Sequence, residues 1–556
     1  MTQPEIRTVP VAIVGGGPVG MLLALFLDRL GVKSVLFNID ETTRWHPRGS
    51  TQGSRTMEHY RRLGIADAIR RLGLPVDHPT DVAYFTRFNG IELARLPMPS
   101  ANDVIAQRAR AAKLDQNPEP IHRGNQMQVE RFVFEHLHTR PNIEMRFGWR
   151  MENYEQDADG ITLTARSKVG DRQETWRAQY LVGCDGGRSD VRKTLGISFR
   201  GDAGLEQRHF GGRWFSTYLR APEFYEKYLG SRRAWQYWAV SPEIRSTMIA
   251  VDGRSEFLFR TQATTTDGPP DDTVVANLLR RCTGADIGVE IVGHAPWAAG
   301  VAMVAEKFGD RRVLLAGDSV HLFTPTGGFG MNTGIDDSAN LAWKLAAMVQ
   351  GWGGENLLAS YEHERMPVAL RNTEAARQLA ANINATDIGA DIEQPTPAGE
   401  NDRRAAGVML AKFKDQFASI GVQLGARYDG SPIIVPDGTP PADSFVTYDP
   451  TSVPGGRTPH AWLGGEHAAG GSLFDHLGRG FTLLRLGQKP PAADGITAAA
   501  ARLNIPLTVL DVQDGDIRGF YERDLVLVRP DQHVAWRGND IPSNCEHLLR
   551  GLVGGA

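Results

Sequence analysis

VPVAIVGGGPVGMLLALFLDRL, residues 9–30, decides the fold of this chain. The stretch opens with an apolar, β-branched run that predicts a strand, and it closes with an apolar run that predicts a helix. Between the two runs, Gly15, Gly17 and Gly20 have the spacing G-x-G-x-x-G, and a second predicted strand follows at 32–37. Because this motif requires a strand, a tight turn and a helix, the sequence predicts a βαβ unit that binds a dinucleotide.

The three glycines have separate tasks in such a loop. Gly15 forms the turn, Gly17 lets the backbone approach a pyrophosphate, and Gly20 lets the helix pack closely on the strand. Pro18 and Val19, at the start of the helix, complete the predicted pyrophosphate site. There the free backbone N–H groups of the helix N-terminus meet the ligand.

Two alternatives compete with this interpretation. Residues 9–27 carry no charge, as in a signal peptide or a membrane span. However, three glycines and a proline interrupt them, Arg7 is the only basic flank, and no small-residue cleavage site follows. The other alternative is a glycine turn that binds no ligand. The strands and the helix around the motif favour the dinucleotide.

The end of the second predicted strand departs from the motif. Asn38 stands where an acidic residue usually binds the adenosine ribose. Its amide can bond a hydroxyl group without contributing charge, and Asp40 and Glu41 are further candidates for this contact. The loop therefore predicts a dinucleotide without saying which one.

The composition excludes several classes of protein. A mass of 61.0 kDa allows about two to four domains, and 41% hydrophobic with 23% charged residues is ordinary for a globular protein. A net charge of −4 without a long basic block speaks against nucleic-acid and anionic-membrane partners. Cys184, Cys282 and Cys545 are far apart and form no C-x-x-C motif, which predicts a cytoplasmic protein without disulfides. No cysteine or histidine spacing predicts a metal site.

A polar loop at 42–56 follows the first unit and leads into a predicted helix. The loop contains Arg44, Arg48 and Arg55, and one of these arginines could reach the cofactor. A solvated loop with incidental charges is the alternative. A second amphipathic helix is predicted at 125–137.

Two further strands run into a carboxylate next to glycine. The predicted strand at 176–183 leads to Asp185, and the one at 312–316 leads to Asp318. A glycine-rich loop that feeds a helix follows at 325–345, with the sequence PTGGFGMNTGIDDSANLAWKL. A strand that leads to an aspartate next to a glycine therefore occurs twice after the first glycine motif.

The second glycine-rich loop suits a flavin. A helix N-terminus stabilises negative charge at the N1/O2 edge of a reduced flavin, and Asp318 could accept hydrogen bonds from a ribityl chain. Since a nicotinamide cofactor has no such chain, this second site favours FAD. The alternatives are that Asp318 is an ordinary helix cap and that Asn332 is an ordinary loop residue.

Residues 199–304 are rich in aromatic side chains and show the alternation of strands at 234–240 and 246–251. An inserted β-rich layer is therefore predicted. Its aromatic residues could form the core of the layer or the walls of a site for a flat aromatic substrate. They are Phe210, Trp214, Phe215, Tyr218, Trp235, Tyr237, Trp238 and Trp297.

The last third of the chain contains a helix at 360–381, a polar connector at 385–401 and a proline-rich break at 429–465, the best candidate for a domain boundary. The order of the strands and helices predicted beyond the break resembles a thioredoxin-like fold. Because this part lacks C-x-x-C, it cannot carry out dithiol chemistry, which leaves a structural role or a subunit contact. The predicted elements are strands at 480–486, 506–512, 524–529 and 533–537 and helices at 492–503 and 545–552.

Gly15-x-Gly17-x-x-Gly20, Asp185-Gly186 and Gly317-Asp318, in this order, resemble the single-component FAD-dependent aromatic hydroxylases, the family of para-hydroxybenzoate hydroxylase. The long form with a thioredoxin-like C-terminal domain, as in the phenol, chlorophenol and hydroxyphenylpropionate hydroxylases, is more similar still. The resemblance runs along nearly the whole chain. It includes the segments 56–64, 421–425, 458–463 and 528–531.

This resemblance implies an α/β fold, in part α+β, with four regions. They are a discontinuous Rossmann-type FAD-binding domain at 1–185 and 300–384, a β-rich substrate domain at 186–299 with part of 66–125, a helical connector at 385–460, and a thioredoxin-like domain at 461–556.

The family also implies roles for residues at matching positions. The first glycine loop would hold the FAD pyrophosphate, and Arg48 and Gln126 would contact the cofactor. Asp185 would lie near both FAD and the nicotinamide, and Asp318 would bind the ribityl chain. The catalytic residue stays unknown, since a structural role is favoured for each candidate base, His209, His321 and Tyr237. The residues implied to border the isoalloxazine are Pro325, Gly330, Met331 and Asn332.

The implied chemistry is the hydroxylation of a phenolic or polyketide ring. NADPH or NADH would reduce FAD, O₂ would add at flavin C4a, and the hydroperoxide would transfer an OH⁺ equivalent to the ring. A reductase or dehydrogenase without oxygen transfer and a non-catalytic flavoprotein are the alternatives. The sequence leaves open the substrate, the hydroxylated position, the coenzyme and the oligomeric state, for which a homodimer is one option.

Overall fold

The computed structural model describes residues 6–202, 214–262, 270–297, 301–384, 387–464 and 471–555. Its strands are Ile6–Val14 (β1), Ser34–Asn38 (β2), Val82–Phe85 (β3), Glu92–Leu96 (β4), Ile143–Phe147 (β5), Trp149–Gln156 (β6), Ile161–Ser167 (β7), Gln173–Gly183 (β8), Phe199–Asp202 (β9), Trp214–Arg220 (β10), Gln236–Val240 (β11), Arg245–Ala250 (β12), Glu256–Gln262 (β13), Glu290–Trp297 (β14), Ala302–Ala305 (β15), Gly309–Asp310 (β16), Val313–Leu315 (β17), His321–Leu322 (β18), Phe481–Leu486 (β19), Leu507–Val512 (β20), Leu525–Val528 (β21) and Val534–Gly538 (β22).

The α-helices are Pro18–Arg29 (α1), Ser54–Arg62 (α2), Ala66–Arg70 (α3), Ala101–Arg108 (α4), Gln126–Leu137 (α5), Asp190–Thr194 (α6), Asp272–Thr283 (α7), Phe329–Gln350 (α8), Ala359–Asn384 (α9), Pro397–Ala411 (α10), Lys414–Ala418 (α11), Ile420–Leu424 (α12), Asp494–Arg502 (α13), Gly515–Tyr521 (α14) and Cys545–Leu552 (α15). Within the described ranges, none of these helices is both long and apolar enough to cross a bilayer.

An 8-stranded sheet gathers the three motifs at one edge. Its main order is β16–β17–β8–β1–β2–β5, and β1 lies parallel to both β2 and β8. Val14 at the end of β1 pairs with Phe37 and with Gly183, and Leu315 of β17 also pairs with Gly183. Because parallel strands end at the same edge, the residues that follow β1, β2, β8 and β17 lie close together. The predicted α/β fold with a Rossmann-type domain is confirmed.

Helix α8 packs on α1 through glycines. A Cβ atom added to Gly334 would lie 2.6 Å from Cγ2 of Val19 and 2.9 Å from Cα of Gly317. Gly317 has φ +67°, so it tolerates the turn as well as the close approach. Every residue of α8 from 333 to 347 is buried, which makes this helix the centre of the first domain.

A second sheet of 7 strands has the order β14–β10–β13–β12–β11–β3–β4. Strands β3 and β4 reach it from the chain before α5, and β3 pairs parallel with β11. Tyr237, Met248 and Phe259 on one face belong to an aromatic and aliphatic core. The alternation along the strands turns Gln236 and Trp238 to the opposite face.

The C-terminal sheet has the order β20–β19–β21–β22, with β19 and β20 parallel and the other pairs antiparallel. This is the topology expected of the thioredoxin-like fold. Helix α10 begins at Pro397, in the polar connector at 385–401, where the sequence analysis placed no individual helix although it expected the region 385–460 to be a helical connector. Thr396 caps it by accepting a hydrogen bond from the Gly399 N–H at 3.2 Å, and proline is favoured at the first helical position. Helix α14, capped by Asp514, was also not predicted.

The described part of the proline-rich break, 429–464, contains no helix or strand, but residues 452–462 are buried. The Nε–H of Arg457 donates to Oε2 of Glu58 on α2 at 3.0 Å, inside the protein. The break is therefore a packed connection, because the first domain holds Arg457 and the C-terminal part accepts backbone hydrogen bonds, for example from the N–H of Gly455 to the carbonyl of Val534 at 2.8 Å.

A buried ion cluster joins the C-terminal part of the chain to α8 and α9. Arg529 donates to both carboxylate oxygens of Glu364, from Nη1 at 2.5 Å and from Nη2 at 2.8 Å. Lys344 of α8 donates to the same carboxylate at 2.7 Å, and Asp531 accepts from Arg529 at 2.6 Å. The pKa of Glu364 is held well below its usual range because these cations outweigh the effect of burial.

We expect Glu364→Gln to destabilise the protein by about 3–5 kcal/mol, because it leaves Arg529 and Lys344 as buried cations with one carboxylate fewer. Chemical denaturation followed by tryptophan fluorescence measures the change. Glu400→Gln is the control, since Glu400 and Arg404 form an exposed pair at 3.4 Å whose loss should cost about 0.5 kcal/mol or less. Equal stability of the two variants would contradict the assignment of Glu364 to a buried, stabilising ion cluster.

Candidate active site

The first glycine loop has the geometry of a phosphate site. Gly15 has φ +113°, and a Cβ atom there would lie 2.2 Å from the carbonyl oxygen of Cys184. A Cβ atom on Gly20 would lie 2.0 Å from the carbonyl oxygen of Gly15, whereas one on Gly17 would meet no atom within 4 Å. Helix α1 starts at Pro18 without a side-chain cap or an acidic residue in its first turn. Open space and unused N–H groups therefore coincide at Gly17, as a pyrophosphate requires.

Two residues predicted to contact the cofactor have packing roles as well. Val19 is buried, and its side chain lies against Gly317. The Oδ1 of Asn38 accepts a hydrogen bond from the Gly16 N–H at 3.0 Å, and its Nδ2 donates to the Asp40 carbonyl at 3.0 Å. Asn38 thus braces the glycine loop, and its contact with a ribose stays a prediction.

Arg48 and Gln126 come together at the start of α5. The Gln126 N–H donates to the carbonyl of Gly49 at 2.8 Å, and Nε2 of Gln126 donates to Oε1 of Glu130 at 2.5 Å. Arg48 is exposed, and the carboxylates of Glu130 and Asp318 lie near enough to interact with its charge. The predicted pair therefore lies at one site although 78 positions separate the two residues in the sequence.

Asp185 follows β8 and caps α6. Its Oδ2 accepts hydrogen bonds from the N–H groups of Asp190 at 2.8 Å and Val191 at 3.2 Å. Its Oδ1 is buried and has no hydrogen-bond partner among the described residues. Burial also raises the pKa of this carboxyl group. A buried oxygen without a partner, at the edge where the motifs meet, is available to a donor of the cofactor.

Asp318 and the start of α8 form the second half of the cofactor site. Gly328, the N-cap residue, has φ +69° and no side-chain cap, and the first turn of α8 contains no acidic residue. A Cβ atom on Gly330 would lie 4.0 Å from Oδ1 of Asp318, so the carboxylate lies beside this helix end. Asp318 is exposed, so its carboxylate is open to a ligand beside this helix end. Pro325 precedes the loop, and Met331 is half-buried in the first turn.

The side chain of Asn332 forms hydrogen bonds within the protein through both its oxygen and its nitrogen. Its Oδ1 accepts from the Gly53 N–H at 2.8 Å and from the Thr56 hydroxyl at 2.7 Å. Its Nδ2 donates to the carbonyls of Thr51 at 3.0 Å and Gly328 at 2.7 Å. The side chain therefore orients the loop at the start of α8, and a contact between residue 332 and the isoalloxazine would have to use the backbone.

A cavity with a volume of about 100 Å³ lies between this loop and the second sheet. Trp238, Thr247 and Arg260 are register partners on three adjacent strands, so they form one row across the sheet. The residues that line the cavity are Arg48, Gly49, Ser50, Thr51, Arg123, Trp235, Gln236, Trp238, Thr247, Ile249, Arg260, Pro325, Thr326, Gly327, Gly328, Gln416 and Phe417.

None of the candidate bases lines this cavity in the described structure. Tyr237 faces the core of the second sheet, where its hydroxyl accepts a hydrogen bond from the Ala234 N–H at 2.5 Å. Burial raises the pKa of Tyr237, against the lowering effect of this hydrogen bond. His321 is fully buried, with Nε2 at 2.7 Å from Oδ2 of Asp337. The surroundings of Tyr237 and His321 therefore suit the structural role that the sequence analysis favoured for them. His209 and Phe210 lie outside the described residues.

Sequence reasoning missed Arg123, Arg260, Gln416 and Phe417. They come from separate parts of the chain and belong to no motif, so their meeting depends on the tertiary fold. One signal was available, because Arg260 alternates with Phe257 and Phe259 along its strand, so its charge indicates that the face opposite these aromatic residues is not entirely core.

Comparisons with known proteins agree with this geometry. Residues 8–376 match the model of the family described as FAD binding domain, and residues 451–556 match that of the aromatic-ring hydroxylase C-terminal domain. The chain belongs to the FAD-dependent aromatic-ring hydroxylases. It is a flavoprotein monooxygenase with FAD as its cofactor, which confirms the predicted family, enzyme class and cofactor.

Individual relatives match along nearly the whole hydroxylase. It is 31% identical to a putative polyketide hydroxylase of Streptomyces halstedii, covering 96% of this chain and 94% of the relative. It is 30% identical to 2,4-dichlorophenol 6-monooxygenase of Delftia acidovorans, covering 95% and 94%. A solved structure of the rebeccamycin biosynthetic enzyme RebC with bound 7-carboxy-K252c superimposes with a TM-score of 0.88 at 34% identity, covering 99% and 100%.

We expect Gly17→Ala to weaken FAD binding by this hydroxylase by about tenfold or more, which is about 1.4 kcal/mol, without loss of folding. The reason is that the new methyl group fits the protein but occupies the space for the pyrophosphate. Isothermal titration of the apoprotein with FAD, together with the unfolding temperature of the apoprotein, separates the two effects.

Two further glycine variants control this experiment. Gly519→Ala adds a methyl group in open space in α14 and should leave FAD binding unchanged. Gly20→Ala should lower the stability of the apoprotein itself, because its methyl group meets the backbone of Gly15. Unchanged FAD affinity in Gly17→Ala would contradict the assignment of the pyrophosphate to this loop.

Proposed function

We propose that this hydroxylase inserts one oxygen atom of O₂ into a phenolic or polyketide aromatic ring, with NADPH or NADH as the electron donor. The cavity between the Pro325 loop and the second sheet is the observation that carries this proposal, since its aromatic walls face the loop predicted to border the flavin. Two relatives, a polyketide hydroxylase and 2,4-dichlorophenol 6-monooxygenase, support this substrate class.

The residues around the first sheet would hold FAD in two places. The N–H groups at Gly17 suit the pyrophosphate, and the partnerless Oδ1 of Asp185 and the carboxylate of Asp318 suit hydroxyl donors. The free N-terminus of α8 favours negative charge on the part of the cofactor nearest to Gly330. When bound and reduced, FAD supplies the electrons that activate O₂ for transfer to the ring.

The second sheet would orient the ring and exclude water. The ring of Trp235 lies under the guanidinium of Arg123 at 4.2 Å, and Trp238 stacks on Tyr84 at 5.9 Å between centroids. Because these indoles are held by neighbours on their outer sides, they form rigid walls for a flat substrate. A dry site matters in this chemistry, since water entry diverts activated oxygen to hydrogen peroxide.

One experiment tests the proposal against its runner-up, a flavin reductase or dehydrogenase. The protein is reconstituted with FAD and mixed with NADPH or NADH, without O₂ and then with ¹⁸O₂, across phenols and aromatic polyketides. We expect one ring compound to accelerate reduction of the flavin and to gain a single labelled oxygen. Flavin reduction with only hydrogen peroxide as product would favour the reductase. Failure to take up FAD would contradict the assignment of the cofactor site.

We expect Trp238→Ala to lower the yield of hydroxylated product per NAD(P)H oxidised, with hydrogen peroxide rising by the same amount, and to raise KM by about tenfold through lost ring contact. Product and peroxide are measured in the same reaction. The matched control is Tyr237→Phe, one position away but on the core face, which should keep the coupling of the wild type. Loss of hydroxylation in Tyr237→Phe would instead make this phenol a catalytic residue.

The cellular location and the oligomeric state complete the proposal. A cytoplasmic location is supported by the three cysteines, which are all free thiols in the structure. A homodimer stays a prediction, which light scattering on the purified holoenzyme would test.

A further inference from the structure

We propose that the ring substrate binds first in an outer chamber between α4 and α11 and passes from there to the inner cavity when the side chain of Phe417 turns aside. The inner cavity is the one between the Pro325 loop and the second sheet. The outer chamber is lined by 96–99, by residues between 107 and 121, and by Lys414, Phe417 and Ala418. This inference rests on the proposed function, because it concerns how the substrate of that function reaches its site.

The two cavities differ in size. The inner cavity has a volume of about 100 Å³, and a closed cavity of about 150 Å³ in another protein binds one benzene molecule. The outer chamber has a volume of about 590 Å³. It therefore has room for several fused rings, whereas the inner cavity accepts a single ring at most until one of its walls moves.

The chemistry of the outer chamber suits an uncharged ring system. Leucine, methionine, isoleucine, alanine, phenylalanine and proline side chains form most of its lining. Of its charged residues, Arg108 is paired with Glu119 at 3.2 Å, and Asp115 and Lys414 have opposite signs. Apolar walls with a few polar groups are typical of sites that bind small molecules, so a phenolic or polyketide ring system is the occupant that this lining fits.

Phe417 separates the two cavities and is the one residue of the described structure that lines both. Its ring is buried and meets the ring of Trp235 in the inner cavity edge-on, with 6.3 Å between the centroids. Beside it, Nη2 of Arg123 in the inner lining lies 3.5 Å from Sδ of Met98 in the outer lining. The partition is therefore made of side chains, and the Phe417 ring faces both sides of it.

The backbone of Phe417 is anchored, whereas its ring is held by packing alone. Arg123 donates to the carbonyl of Phe417 at 2.7 Å and to the hydroxyl of Thr51 at 2.5 Å, which ties α11 to the loop before α2. A phenyl ring forms no conventional hydrogen bond, so it can change its rotamer without breaking one. Movement of the Phe417 ring would join the two cavities while α11 stays in place.

The kinetics of binding test this route. The probe is 1-naphthol, mixed with the oxidised holoenzyme in a stopped-flow instrument, where flavin absorbance reports association and dissociation. Ala111→Trp fills part of the outer chamber. We expect it to lower both rate constants by about fivefold or more and to change Kd by less than about twofold, because an obstructed route raises the barrier and leaves the bound state intact. Ile105→Trp, at an exposed position of α4 outside the chamber lining, is the control and should change neither rate constant.

A reversible block keeps the test independent of folding. Ala111→Cys is folded first and then treated with benzyl methanethiosulfonate, which attaches a ring through a disulfide inside the outer chamber. We expect the label to slow association of 1-naphthol by about fivefold or more, and dithiothreitol to restore the original rate. Treated Ile105→Cys and treated wild type, which contains Cys184, Cys282 and Cys545, control for reaction elsewhere.

Variants of Phe417 test the gate itself. Phe417→Ala should raise both rate constants by about tenfold, and Phe417→Trp should lower both, because the group that must move becomes smaller or larger. If Phe417 were only a wall of the inner cavity, Phe417→Ala would raise the dissociation rate constant and leave association unchanged. That result would contradict the gate.

The outcome is separable from that of the proposed function. Equal rate constants in wild type, Ala111→Trp and labelled Ala111→Cys would overturn the outer chamber. Failure of 1-naphthol to bind the wild type would overturn it too, since the chamber has room for two rings. In either case, ¹⁸O transfer to another ring compound would leave the proposed function standing. Slower binding in the blocked variants without oxygen transfer to any ring would keep the chamber and overturn the function.

Discussion

The buried charges of α8 are the constraint on which the rest of the structure depends. Asp336 and Asp337 lie inside the protein and are paired with Arg365, and Lys344 is paired with Glu364. A buried ion that loses its partner costs several kcal/mol, so α8 cannot slide or rotate without a large penalty. The position of its first turn, which faces the cavity and the cofactor site, is therefore fixed by ion pairs deeper in the same helix.

The C-terminal domain takes part in this constraint. Its turn at 528–531 places Arg529 in the cluster around Glu364. The carbonyl of Asp531 accepts a hydrogen bond from Arg55 of α2 at 2.7 Å. Arg457, from the packed connection, reaches Glu58 on the same helix. A thioredoxin-like domain without a dithiol thus acts as a brace for the two helices that hold the loops of the active site. This gives the structural role expected from the sequence a physical basis.

The sequence predicted the parts of the site whose chemistry is local. A strand, a glycine turn and a helix are contiguous, so the loop at Gly15 and the start of α8 could be recognised directly. Register is not local, which is why the sequence could not tell that Trp238 faces the cavity and Tyr237 the core. The meeting of Arg123 with Arg260 depends on the whole fold. Thr396 before Pro397 was a readable helix start, hidden by the glycine and proline content around it.

The two halves of the active site also differ in what they do with charge. On the cofactor side, helix N-termini and the carboxylates Asp185 and Asp318 offer both signs, as a ligand with phosphates and hydroxyls requires. On the substrate side, Arg48, Arg123 and Arg260 line the cavity together with the indoles of Trp235 and Trp238, next to the positive end of α8.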